Sequence, residues 1–187
     1  MAVEAEDRAA RVRIRPVERG DQRRLLAANR ASATFHAPWV SAPTNALAFT
    51  AYLEKLQSGT AIGFLALALA DDGIVGVVNL SNIARGAMKG AAMGYYANSA
   101  YAGRGLMREG IARVLDTAFG ELGLHRIEAN VQPGNHRSQA LVRRLGFHEE
   151  GFSPRFLFID GAWRDHQRWA LLAEEWHGTW RRPTDGA

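Results

Sequence analysis

The chain has 187 residues, a net charge of +4 and no cysteine. This length suits one hydrophobic core and is short for two, and the missing thiols exclude disulfides, thiolate metal sites and a cysteine nucleophile. The longest apolar stretch, residues 61–70, is too short to span a bilayer, and charged side chains in the first ten residues argue against a signal peptide. We expect one cytoplasmic, non-membrane domain over residues 11–176, with tails at 1–10 and 177–187.

The first half of the chain predicts a strand, two helices and a hairpin. A strand at 11–15 is followed by a helix that Asp21 would cap and that ends near residue 31. Thr44 is expected to cap a second helix, which reaches Gln57. Apolar strands at 60–70 and 74–83 flank Asp71-Asp72-Gly73, a sequence typical of a tight turn.

The second half predicts strands and helices in alternation. The pattern gives a strand at 91–98, a helix at 106–122, a strand at 125–131, a helix that Asn135 caps and that ends at Gly146, and strands at 151–159 and 163–172. Crossover helices join some strands and tight hairpins join others. The sequence therefore predicts a mixed α/β fold.

The segment Tyr101-Ala-Gly-Arg-Gly-Leu-Met107 follows a strand and opens a helix. Glycines at 103 and 105 let the backbone turn with its N–H groups inward, and the helix N-terminus adds unpaired amides, so the segment predicts a phosphate site. A P-loop would need Gly-Lys-Ser/Thr, and a dinucleotide loop would need a third glycine. A simple helix-entry turn remains the alternative for the loop by itself.

A second motif begins about thirty residues later, with Asn135-His-Arg-Ser138 opening a helix that ends in Leu-Gly146-Phe. The two motifs at this spacing resemble those of the GCN5-related N-acetyltransferase (GNAT) superfamily. Within it, Gly76-Val-Val-Asn-Leu-Ser-Asn82, Leu124-His-Arg-Ile-Glu-Ala-Asn130 and Leu157-Phe-Ile-Asp-Gly-Ala-Trp-Arg-Asp-His166 resemble the RimJ/RimL type, the ribosomal-protein alanine N-acetyltransferases.

The resemblance implies a central, mostly antiparallel seven-stranded sheet with flanking helices, and acetyl-CoA as cosubstrate without a metal. It also implies that the acetyl group and pantetheine lie between strands four and five, held by backbone amides. The residues expected at the cofactor are Tyr96, Ala97, Ala102, Gly103, Arg104, Gly105, Leu106, Met107, Asn130, Asn135 and Arg137. Asn135 is expected either to contact pantetheine, to cap its helix, or to do both.

Two catalytic positions of the family differ in this chain. The usual helix tyrosine, the acid that protonates the leaving thiolate, is Val142, and the strand-four glutamate is Ala92. Ser138 lies one helical turn before Val142, so we expect its hydroxyl to serve the thiolate, with a helix-cap role as the alternative. For the general base the candidates are Glu128, a water on Asn79, Asp165 and His166, each of which has a structural alternative.

The acceptor is expected to be a primary amine that attacks acetyl-CoA directly in a ternary complex. Near pH 7 about a fifth of α-amines but only about one lysine amine in two thousand are neutral, so a weakly basic site favours the Ala or Ser N-terminus of a protein such as a ribosomal protein. A small-molecule amine (aminoglycoside, polyamine or amino acid) and a noncatalytic acyl-CoA-binding module are the alternatives.

We expect the first two helices to border the acceptor cleft. Candidate lining residues are Phe35, Trp39, Tyr95, Asp165 and His166. Direct nucleic-acid binding is not expected, since the basic residues form no uninterrupted tract. The chain is expected to be a monomer or a homodimer.

Overall fold

A computed structural model describes residues 10–178; residues 1–9 and 179–187, most of the two predicted tails, lie outside that range. Seven strands form one sheet in the order β1-β2-β3-β4-β5-β7-β6. Neighbours are antiparallel except β4 and β5, which are parallel. This confirms the predicted fold. The strands are β1 (Val12–Pro16), β2 (Ile62–Ala68), β3 (Ile74–Ala84), β4 (Gly90–Ala97), β5 (Arg126–Val131), β6 (His148–Ile159) and β7 (Ala162–Leu172).

Helices cover both faces of the sheet. They are α1 (Gln22–Ala31), α2 (Ala33–His36), α3 (Ala46–Gln57), α4 (Leu106–Asp116) and α5 (His136–Arg144). Side chains alternate between faces along a strand, so Val77 packs with Leu25 and Phe49 of α1 and α3, while Val78 joins Ile111 of α4 in the larger cluster. Each such buried side chain contributes roughly 1.5–3 kcal/mol through loss of apolar surface from water.

One predicted helix cap is right in position but lacks the capping bond, and a second is wrong. Asp21 makes no capping bond to α1, because its buried carboxylate accepts hydrogen bonds from Arg15 and from the Glu18 amide. The cap of α3 is Asn45 instead of Thr44, and its Oδ1 accepts the Ala48 N–H at 2.8 Å. Asparagine and threonine are adjacent good caps, so the sequence alone did not separate them.

Smaller differences concern turns and one extra helix. The short helix α2 lies in a segment that we predicted as a linker. In the predicted β2–β3 turn the left-handed residue is Asp72 (φ 56°), although glycine is the residue that tolerates positive φ most readily. Aspartate enters the left-handed region more readily than most residues, and here its carboxylate pairs with Arg13 and Arg24. The helix predicted over 106–122 is α-helical to Asp116 and continues as a π-turn over Thr117–Glu121.

Candidate active site

Strands β4 and β5 separate at one end. Their parallel pairing runs from Gly90 opposite Arg126 to Met93 opposite Ala129 and then stops, although β4 continues to Ala97. On its other side β4 stays paired with β3, and β5 with β7. The last residues of β4 therefore have one hydrogen-bonding edge that no strand within residues 10–178 occupies, which opens a gap through the sheet.

The open edge presents main-chain groups of Tyr95 and Ala97. The Asn98 N–H donates to Val75, and in an antiparallel ladder alternate residues direct their polar groups to opposite edges. Tyr95 and Ala97 consequently direct their N–H groups into the gap. The Ala97 carbonyl accepts a hydrogen bond from Nε2 of buried His36 at 2.9 Å. The main-chain N–H of Ala97 points into the same gap and can donate to a ligand carbonyl.

The glycine loop has the geometry of an anion cradle. Gly103 and Gly105 both have left-handed backbones (φ 76° and 75°), and Gly105 is the residue from which α4 begins. A Cβ at Gly103 would meet nothing within 4 Å, and one at Gly105 only Arg11 at 3.6 Å, so the space beside the loop is open. Free amides at the N-terminus of an eleven-residue helix suit the pyrophosphate of CoA.

The second motif forms the start of α5. The Asn135 side chain accepts the Ser138 N–H at 3.1 Å, which makes Asn135 the helix cap. The Ser138 hydroxyl takes no part in this cap. It lies 2.6 Å from the Tyr95 hydroxyl instead, and burial raises the pKa of Tyr95 to about 12. Val142, at the position of the family tyrosine, is fully buried in the core.

The loop, α5 and the open end of β4 line one cleft of about 1,130 Å³. Eleven of the residues expected at the cofactor or the leaving group line it: Tyr96, Ala97, Ala102, Gly103, Arg104, Gly105, Met107, Asn130, Asn135, Arg137 and Ser138. Leu106 is the exception, because its side chain is buried against β1–β3. Arginines 108 and 144 join Arg104 and Arg137 in the lining, so four guanidinium groups face the place of a polyanion.

The part of the cleft lining where we expected the acceptor is largely apolar and aromatic. The predicted residues Phe35, Trp39, Tyr95 and His166 line it, together with His36, Leu157 and Ile159, which sequence reasoning did not select. The last two lie in the β6–β7 hairpin. This wall comes from α2, the segment after it and the hairpin, whereas α1 and α3, which we expected there, contribute no lining residue.

Three candidate bases lie outside the cleft lining. Glu128 accepts a hydrogen bond from Arg126 at 2.8 Å, and Asn79 accepts one from Tyr52 at 2.6 Å. The exposed Asp165 carboxylate accepts the Arg155 N–H at 2.7 Å and so stabilises the irregular part of β6. Each of these three side chains thus has a structural partner away from the cleft lining.

No Asp or Glu side chain lines the cleft among residues 10–178. The same part of the chain has no group of three or more His, Cys, Asp or Glu side chains that could hold a metal ion. Nor does it include a helix with the length and apolar character needed to cross a bilayer. The cleft therefore combines cationic and apolar walls with main-chain donors, an arrangement that fits a phosphorylated thioester such as acetyl-CoA.

Comparison with known families decides the class. The model described as "Acetyltransferase (GNAT) domain" matches residues 11–148. The chain belongs to this family. It is a GNAT-type N-acetyltransferase, and enzymes of this family use acetyl-CoA.

Similar proteins include several N-acetyltransferases. The chain is 42% identical to the probable N-acetyltransferase YjcK of Bacillus subtilis over 66% of this chain and 68% of that one. It is 41% identical to the ribosomal protein uS5-alanine N-acetyltransferase of Escherichia coli, over 55% of this chain and 53% of the relative. The aligned segment thus spans about half the length of this second GNAT protein.

Solved structures of similar proteins share most of the fold. Mycobacterium smegmatis RimJ in complex with CoA-disulfide superposes with a TM-score of 0.80 at 32% identity, covering 88% of this chain and 83% of that one. A spermidine N-acetyltransferase from Vibrio cholerae, in complex with CoA and spermine, gives 0.71 at 26% identity, covering 88% and 97%. The family likeness therefore includes enzymes for two kinds of acceptor.

Proposed function

We propose that this GNAT enzyme transfers acetyl from acetyl-CoA to the N-terminal α-amine of a protein that begins with Ala or Ser, such as a ribosomal protein. The absence of any carboxylate from the described cleft lining carries the proposal. A polyamine would bring several positive charges beside four arginines, and a cation is costly to bury without an anionic partner. One α-amine, with a pKa near 7.7–8.0, enters neutral at little cost.

The acceptor wall supports selection by size. Phe35, Trp39 and Leu157 are bulky and apolar, and they line the same cleft as the open end of β4. A small first residue fits such a wall, whereas a larger one overlaps it, and overpacking commonly costs ~1–3 kcal/mol. Long-range attraction does not explain recruitment of a basic ribosomal protein, because the enzyme itself carries a net charge of +4.

The proposed mechanism uses main-chain and hydroxyl groups. CoA phosphates bind at the Gly103–Gly105 loop and the cleft arginines, and Asn130, Asn135 and Arg137 lie along the cofactor path. The N–H groups of Tyr95 and Ala97 polarise the thioester carbonyl as negative charge develops on its oxygen. The neutral amine attacks this carbon directly, and the leaving thiolate takes a proton from the paired hydroxyls of Ser138 and Tyr95.

A peptide series tests the acceptor. Peptides of identical sequence except for a first residue of Ala, Ser, Leu or Phe are assayed for kcat/KM by release of free CoA thiol. We expect Ala and Ser to exceed Leu and Phe by about tenfold or more, the factor that corresponds to ~1.4 kcal/mol of steric cost. An Ala peptide with its α-amine blocked and one internal lysine is the control, and it should not react.

Small amines complete the test. Spermidine, an aminoglycoside and free alanine are assayed under the same conditions, because small-molecule amines are the alternative acceptors. Faster turnover of any of these than of the Ala peptide would replace the protein N-terminus with that acceptor. Equal rates for all four peptides would remove the size-selective pocket, and acetylation of the lysine control would remove selection of α-amines.

A further inference from the structure

His166 lies in the wall of the acceptor cleft, on β7. Only 2% of its surface is exposed, yet it lines the cleft. The ring of Phe156 on β6 packs edge-on against the imidazole, with ring centroids 5.9 Å apart. The side chain is therefore held in one position beside the space where the amine enters.

One ring nitrogen of His166 has a partner and the other does not. Nδ1 lies 2.9 Å from the Arg164 carbonyl oxygen, and because a carbonyl only accepts, Nδ1 carries the hydrogen. No residue in the range 10–178 makes a hydrogen bond to Nε2. In the neutral ring Nε2 thus has a lone pair available to a ligand.

Burial lowers the pKa of His166. This effect is larger than the opposing effects of the hydrogen bond to the Arg164 carbonyl and of the negative charge of Asp165, which both raise the pKa. The ring is consequently neutral at pH 7 and able to accept a proton. Phe156 contacts it from β6, the charged neighbours on its own strand are Arg164, Asp165 and Arg168, and the cleft adds His36 and the four arginines. His36 is not equivalent, because its Nε2 donates to the Ala97 carbonyl.

The strand register places His166 and Tyr95 on opposite faces of the sheet. Trp169 is opposite Ala129, which is opposite Met93, and all three side chains belong to the core beneath α4 and α5. Tyr95 is two residues from Met93 along β4, so its side chain lies on the same face of the sheet as Met93. His166 is three residues from Trp169 along β7, so its side chain lies on the opposite face. Both line the same cleft, which passes through the gap between β4 and β5.

We propose that Nε2 of His166 is the general base that takes the proton from the attacking amine. The amine nitrogen bonds to the thioester carbon, the C–S bond breaks, the amine proton moves to Nε2, and the thiolate takes a hydroxyl proton from the Ser138–Tyr95 pair. Water then carries the proton from His166 back to the pair, so amine and acetyl-CoA give amide and CoA thiol. A weak base suffices, since a nitrogen bonded to the carbonyl carbon is far more acidic than a free amine.

The variant His166→Asn tests this role, because asparagine can still donate to the Arg164 carbonyl through its amide but has no basic nitrogen. We expect kcat at pH 7 to fall by about 10²–10⁴-fold, the usual contribution of a general base, with the calorimetric affinity for CoA within about threefold. In the parent enzyme kcat should fall as the pH drops through the lowered pKa of His166, on the acid side of the ordinary imidazole range, and this acid limb should be lost in the variant. His148→Asn, at an exposed histidine outside the cleft, is the matched control and should retain both kcat and the limb.

The proposal rests on the amine acetylation described above but not on the Ala peptide. If the enzyme prefers another primary amine, the proposed acceptor fails and the same comparison on that amine decides the role of His166. A His166→Asn enzyme within about threefold of the parent in kcat overturns the base assignment. So does a slow variant that keeps the acid limb at the same pH, since that limb would then belong to another group.

Discussion

The hydroxyl oxygens of Tyr95 on β4 and Ser138 on α5 lie 2.6 Å apart, although 43 residues separate them in the chain. The strand thereby supplies a phenol in the cleft, whereas the family tyrosine position on the helix is Val142, buried in the core. Because burial raises the pKa of Tyr95 to about 12, the phenol keeps its proton across the working range. The pair can therefore donate a proton without ionising in the resting enzyme.

We predict that Ser138→Ala and Tyr95→Phe each lower kcat by about ten- to a thousandfold, with little change in CoA affinity. The double variant should be little slower than the slower single one, because the hydroxyls act as a unit. Tyr52→Phe removes a comparable tyrosine hydrogen bond, to Asn79, outside the cleft, and should change only stability. Normal turnover in both single variants would show that the pair is structural.

A second prediction concerns the left-handed loop. Gly105→Ala should weaken CoA binding about tenfold or more, because a side chain at φ 75° is strained by roughly 1–2 kcal/mol and its Cβ enters the space beside the amides. Gly120→Ala is the control, since Gly120 has an ordinary φ and open space. Calorimetric titration with CoA gives the result, and equal affinities for the two variants would remove the loop from the CoA site.

The two asparagine helix caps, Asn135 and Asn45, allow a contribution to CoA binding to be separated from a contribution to helix stability. Asn135→Ala and Asn45→Ala each remove one capping hydrogen bond and should lower the free energy of unfolding by about 1 kcal/mol. Only Asn135 lines the cleft, so only its variant should also lose CoA affinity. Urea unfolding and calorimetry measure the two effects. A purely capping Asn135 would show the stability loss alone.

Asp21 should make stability depend on acid pH. Burial opposes its ionisation, but hydrogen bonds from Arg15 and the Glu18 amide outweigh burial and lower its pKa. A carboxyl group whose pKa is lower in the folded than in the unfolded protein stabilises the fold. This stabilisation is fully present at pH values above the pKa of the unfolded state, near 3.9, and is lost as the pH falls through the pKa of the folded state. Asp21→Asn should therefore cost ~1–3 kcal/mol at pH 7 and lose less further stability below pH 4 than the parent.

The control for Asp21 is Asp72→Asn, because Asp72 pairs with Arg13 and Arg24 on the surface with half of its side chain exposed. Its melting temperature at pH 7 should be close to that of the parent, since exposed pairs contribute little. If Asp21→Asn melts at pH 7 at the same temperature as this control, the pair between Arg15 and Asp21 does not stabilise the fold.

Several local features of this protein were predictable from the sequence. The glycine loop and the Asn135 cap depend on backbone preferences that a few neighbouring residues determine, and the structure shows both of them. The seven-stranded mixed sheet was expected from the family resemblance and is confirmed. Such features need no knowledge of distant contacts.

The tertiary structure decided what distant residues do to each other. Asp21 was expected as a cap, but a salt bridge from the neighbouring strand holds its carboxylate. Glu128 and Asn79 carry suitable groups but have structural partners, while His166 is left with an open ring nitrogen. Composition and spacing do not encode these outcomes, because each depends on which side chains the strand register and the packing of α5 on β4 bring within hydrogen-bond distance.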